Sequence, residues 1–157
     1  MHAPEELSDE RRSLRSAVRA SKLETFTRRY YGLFNDRRLD EAEAMVDAEA
    51  VFTYPAASEH FIGRAGYREL AQRWAQAFPD ATLAITSVTV SGDTAATEWI
   101  AEGTHLGTLD LPGLAAIPPT GRRANLPMCE TIRIVNGSIV ESTMEFDPDE
   151  LRKRLGV

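Results

Sequence analysis

The chain of 157 residues carries a single cysteine, Cys129, which excludes an internal disulfide. A chain of this length buries about two thirds of its unfolded surface and needs no covalent or metal staple. One lone cysteine fits a reducing compartment. No apolar run approaches the length of about 20 residues that a membrane span requires. The opening MHAPEELSDERRSLRS mixes charges of both signs where a secretory leader has an apolar centre. These absences point to a cytoplasmic protein with no membrane partner. Basic surplus is also missing: the net charge of -6 disfavours binding to a phosphate backbone, so no nucleic-acid partner is expected.

Several reaction chemistries lack their signatures. No HExxH or cysteine–histidine cluster provides metal ligands. No GxSxG elbow presents a serine nucleophile. Neither a P-loop nor a dinucleotide-binding glycine fingerprint seats a nucleotide. The sequence therefore implies no metal and no cofactor. Internal repeats and low-complexity tracts are absent as well.

What is present is a change of hydrophobic period partway along the chain. Residues 1–16 are polar, contain Pro4 and read as a flexible tail or a fraying first turn, leaving a single domain over 17–157. From Ala17, Leu23, Phe26, Tyr30, Leu33 and Phe34 recur at helical spacing until Asn35-Asp36. A shorter helix is expected from Leu39 to Val46, and a short strand over Val51–Tyr54, closed by Pro55. After Phe61-Ile62-Gly63, one face of a third helix carries Tyr67, Leu70, Ala71, Trp74, Ala77 and Phe78, and Pro79 stops it.

Beyond Pro79 the pattern alternates. Strands are expected over Thr82–Val90 and Thr94–His105, the second burying Trp99, Ala101, Gly103 and His105 on one face. Arg122–Val135 alternates with Ala124, Leu126, Met128, Glu130, Ile132 and Ile134 together. Asn136-Gly137 then predicts a hairpin to Ser138–Phe146, and a last helix begins at Pro148. Helices first and long antiparallel strands afterwards describe an α+β layer fold, a curved sheet with helices on its concave face and an apolar pocket between them.

Gly103-Thr104-His105-x-Gly107, Pro119-Thr120-Gly121-Arg122, Asn136-Gly137-x-Ile139-Val140-Glu141, Asp147 and Leu155-Gly156 follow one another in an order that resembles the SnoaL-like polyketide cyclases. Ala77-Phe78-Pro79-Asp80 is similar to that family too, and the resemblance spans roughly residues 20–156. The family belongs to the nuclear transport factor 2-like superfamily, so the resemblance implies a cone-shaped α+β fold. It also implies cofactor-independent acid–base chemistry: an intramolecular aldol closure on a polyketide or polycyclic carbonyl, with Asp147 and His105 at the family's functional positions. Isomerisation, hydroxylation, epoxide opening or simple binding of a small molecule are the superfamily's other uses of such a pocket. A homodimer through the sheet is the assembly the family implies. Two positions depart from the family pattern: Ser142-Thr143 stands where an aromatic often follows Glu141, and Arg154 where a glutamine often precedes the final Leu-Gly.

The residues and the resemblance together nominate three groups for catalysis. Glu130 is the one charge on an otherwise apolar strand face, so it must be paired, protonated or facing a pocket unless a bulge turns it outward. Asp147 precedes Pro148, with Glu150 three residues on, and reads equally as a helix N-cap. His105, at a strand end, reads as proton donor, substrate anchor or structural bridge. His60 reads as an exposed loop residue. Phe34, Tyr54, Phe61, Trp74, Trp99, Met128 and Met144 are the expected lining for a hydrophobic substrate. Met144 and Phe146 lie on the face opposite Thr143, Glu145 and Asp147; either set can face the pocket.

Overall fold

The computed structural model describes residues 3–54 and 61–157. Its elements are helices α1 (Pro4–Asn35) and α2 (Leu39–Glu43), strands β1 (Val46–Thr53) and β2 (Phe61–Ile62), helix α3 (Gly63–Ala77), strands β3 (Thr82–Ser91), β4 (Thr94–Thr104), β5 (Arg123–Val135) and β6 (Ser138–Glu145), and helix α4 (Pro148–Leu155). The sheet runs β2-β1-β6-β5-β4-β3. Every pairing is antiparallel except β1 with β6. Bulges between Ile85 and Ser87 and between Arg133 and Ile134 bend the long strands. The sheet curves around α1, packed on β3 and β4, and α3, packed on β1 and β2, giving an α+β cone.

Local chemistry accounts for the turns. Asn136 and Gly137, at φ 51° and 76°, make the tight β5–β6 hairpin that their sequence predicts. Gly63 begins α3 at φ 68°, where a Cβ would lie 2.5 Å from the Ala48 carbonyl oxygen. Gly156 ends α4 in the left-handed region.

Three boundaries differ by more than one residue from the sequence reading. Helix α1 starts at Pro4 rather than near Ala17, so most of the expected tail is helical. Pro4 suits the first helical turn, Glu5 and Glu6 complement the helix dipole, and extending a helix already anchored by residues 23–34 costs little. Helix α2 stops at Glu43, and Val46 opens β1 instead of closing the helix. There the parallel pairing with Ile139 outweighs local helical preference, with the Ile139 N–H donating to the Met45 carbonyl at 2.9 Å. Pro55 and His60 lie outside the described residues. Among the described residues no helix is long and apolar enough to cross a membrane.

Candidate functional site

Between α1, α3 and the concave sheet face lies a cavity of about 100 Å³ whose lining includes Tyr31, Phe34, Trp74, Trp99, Met128, Glu130 and Met144. The alternation of β4 and β5 sets its depth. Ala101 and Ala124 are half-buried, whereas Trp99, Leu126, Met128 and Glu130, further along the same strands, are buried. The cavity therefore opens beside Ala101 and Ala124, with Phe34 and Trp74 also half-exposed, and its floor lies at Glu130. Five of the seven expected lining residues are present. Tyr54 and Phe61 are buried outside the lining, their rings 6.3 Å apart, and the Tyr54 hydroxyl donates to the Pro112 carbonyl.

Glu130 is 3% exposed, and the β5 alternation holds through it without a bulge. The Tyr31 hydroxyl donates to Oε1 at 2.8 Å, and the Ser142 hydroxyl donates to Oε2. Burial pushes the Glu130 pKa above its ordinary value, while the Ser142 and Tyr31 hydrogen bonds pull against that shift. The Tyr31 phenol is itself raised, by burial and by the Glu130 charge beside it, so it remains a proton-bearing donor. Its ring packs 4.7 Å from that of Trp99. Nε1 of Trp74 and of Trp99 is buried with no hydrogen-bond partner among the described residues. The arrangement is a buried carboxyl, its pKa raised, at the floor of an aromatic cavity.

Tyr31 and Ser142 are the partners of Glu130 that sequence reasoning missed. Tyr31 sits four residues after Thr27 and three before Phe34, at helical spacing with both, but beside the more conspicuous Tyr30 stripe. Ser142 was visible only as a departure from the family pattern. It stands on the inward face of β6 with Met144, and this decides which set faces the cavity: Thr143, Glu145 and Asp147 are exposed.

Asp147 accordingly lies outside the cavity lining. Its Oδ1 accepts from the backbone N–H groups of Asp149 and Glu150 at 2.9 and 3.4 Å and caps α4. Arg154, the other departure, donates from Nε to Glu150 at 2.8 Å and from Nη1 to the Asn125 carbonyl at 2.7 Å, tying α4 to β5.

His105 is fully buried just past the end of β4, its ring stacked 5.1 Å from that of Phe78. Phe78 lines the cavity and His105 does not. The backbone of His105 pairs with Arg122 and Gly121, and its Nδ1 accepts from the Thr120 N–H at 3.2 Å. With Nδ1 accepting, the neutral ring carries its proton on Nε2, which has no hydrogen bond of good geometry among the described residues. Burial lowers the His105 pKa, partly opposed by the nearby carbonyls of Gly107 and Ile117. His105 thus closes the loop from Leu106 to Thr120 at its base. The loop docks on α3 where the N–H groups of Leu106 and Gly107 donate to the Ala77 carbonyl.

Residues 27–142 match the family described as the SnoaL-like domain. No curated protein matches the sequence. Among solved structures, IdmH from Streptomyces antibioticus, described as a candidate polyketide cyclase, is 29% identical with a TM-score of 0.69, over 86% of this chain and 99% of that one. A candidate polyketide cyclase from Xanthomonas campestris pv. campestris is 22% identical with a TM-score of 0.74, over 87% of this chain and 98% of its own. A candidate ketosteroid isomerase from Kribbella flavida is 20% identical with a TM-score of 0.61, over 82% and 79% of the two chains.

Proposed function

Because the chain belongs to the SnoaL-like domain family, we propose that it is a general acid–base enzyme of cyclase or isomerase type, moving a proton alpha to a carbonyl in a neutral, apolar substrate. The observation that carries this reading is Glu130, a buried carboxyl at the floor of an aromatic cavity, held by Tyr31 and Ser142. Burial raises this carboxyl above its ordinary value, which makes its ionised form a stronger base. In its ionised form Glu130 takes the proton from carbon. The electron pair moves onto the carbonyl oxygen. In a cyclase the resulting enolate attacks a second carbonyl, and Glu130 returns the proton to the new alkoxide. In an isomerase the proton returns to a different carbon.

The resemblance assigns proton transfer to Asp147; the proposal moves it to Glu130, because Asp147 is exposed and already engaged as a cap. His105 takes the role of holding the loop. A cavity of about 100 Å³ is smaller than the roughly 300–1,000 Å³ of drug-sized pockets, so it seats the reacting end of a substrate rather than a whole polycyclic skeleton.

Proton exchange on a simple ketone tests the reading without knowledge of the natural substrate. With 2-tetralone in deuterated buffer, the native chain accelerates exchange alpha to the carbonyl above the buffer rate, and Glu130→Gln returns it to that rate. Exchange that survives Glu130→Gln and is lost in Asp147→Asn would hand the chemistry back to Asp147.

A further inference from the structure

The first turns of α1 lie before residue 27, where the family match begins, and residues 3–19 are exposed throughout. Sixteen residues, 4–19, make a rod of about 24 Å. As an extension of the anchored part of α1 the rod stays helical without cover, but it packs no face of its own. An apolar face exists on it, and among the described residues none buries it. Leu7, Leu14 and Val18 are 43%, 67% and 53% exposed. With Arg11 they fall at successive spacings of four, three and four, a single apolar seam in which the Arg11 stem is the polar interruption.

The charges of the segment are separated along its length. Glu5, Glu6, Asp9 and Glu10 occupy the first half; Arg11, Arg12, Arg15 and Arg19 occupy the second. Within one helix this pattern is poor. Glu5 and Asp9, Glu6 and Glu10, Arg11 and Arg15, and Arg15 and Arg19 are like charges four residues apart, which destabilise a helix. A salt bridge within the segment, Arg12 with Asp9 at 3.6 Å, joins two side chains about three-quarters exposed and contributes little.

A second helix of the same sequence running the opposite way resolves both features. It places each acidic half along a basic half, and it sets Leu7 against Val18 and Leu14 against Arg11 of the other copy. A parallel arrangement stacks acid on acid and base on base. We propose that residues 4–19 of α1 form an antiparallel pairing surface for the same segment of a second copy of this chain. This surface is separate from the cone, the cavity and the sheet face through which the family resemblance implies a dimer.

Sedimentation velocity on the full chain up to about 100 µM, spanning the weak end of specific affinities, provides the test. The native chain dimerises, and Leu14→Glu weakens association at least tenfold while far-UV circular dichroism and the unfolding midpoint stay close to native. Raising salt to about 0.5 M weakens the native dimer by screening the halves. In a Cys129→Ser background, a mixture of Leu7→Cys and Val18→Cys chains oxidises to a mixed disulfide, while Leu7→Cys alone does not cross-link. A chain that remains monomeric, a dimer indifferent to Leu14→Glu and therefore held by the sheet or another surface, or ready cross-linking of Leu7→Cys alone, overturns the proposal.

Discussion

The Tyr31 hydroxyl on α1 reaches Glu130 on β5 across 2.8 Å, joining residues separated by 99 positions in the chain. One hydrogen bond thus connects the helical layer to the floor of the cavity, and it ends on the one acid that β5 buries among apolar neighbours. Removing either partner leaves a buried polar group with one bond fewer, which costs more than an exposed hydrogen bond would.

Glu130→Gln is expected to lower proton exchange on 2-tetralone by about 100-fold or more without loss of fold. Stability supplies a second readout with a definite sign. The folded pKa lies above the ordinary value of 4.5, so the folded chain holds this proton more tightly than the unfolded one. The Glu130 contribution to stability is then fully present below that value and is lost as pH rises through the folded pKa. Urea unfolding of Glu130→Gln, measured across the acid-to-neutral range, should lack that decline.

Tyr31→Phe removes a bond that favours the ionised carboxylate. The Glu130 pKa should rise further, and the pH at which exchange reaches half its plateau should move upward. A pH profile of kcat/KM on 2-tetralone reads this directly. A role for Tyr31 confined to packing would lower stability and leave the midpoint unchanged.

Asp147→Ala removes the α4 cap and should cost about 1 kcal/mol of stability, while Asp147→Asn keeps a capping oxygen and costs less. Neither should reduce exchange appreciably. Denaturant melts and the 2-tetralone assay, run on the same two variants, separate cap from catalyst.

Gly107→Ala would set a Cβ 2.1 Å from the Gln76 carbonyl oxygen. That contact requires the loop to lift from α3, and the change should destabilise by about 2 kcal/mol or more. Thermal melts measure it.

His105 provides a titration of opposite sign to Glu130. Its folded pKa lies below the ordinary 6.5, so the unfolded chain takes up this proton first. The stability that it contributes is complete above 6.5 and is lost as pH falls from there through the folded value. His105→Asn keeps an acceptor for the Thr120 N–H and should flatten that part of the stability profile.

Much of this architecture could be read from local periodicity. The helical stripe of α3 and the alternation of β3 to β6 state which residues face inward, because a period of 3.6 or 2 is a property of the backbone alone. Glu130 stood out for the same reason: a charge in an apolar register must be accommodated somehow. The Asn136-Gly137 turn and the Asp147-Pro148 cap were visible because their residue types match the backbone angles or hydrogen bonds required there. The start of α1 has no such signature, because an anchored helix extends through exposed positions where no buried stripe marks it.

By itself the sequence determined the layers, the hairpin and the inward face of β5, since each follows from residues close together in the chain. Only the tertiary structure decided that Tyr31 and Ser142 meet Glu130, that Asp147 faces away from the cavity and that His105 latches a loop. Those relations depend on sheet register and on packing between distant segments, where a shift of one residue exchanges inside for outside.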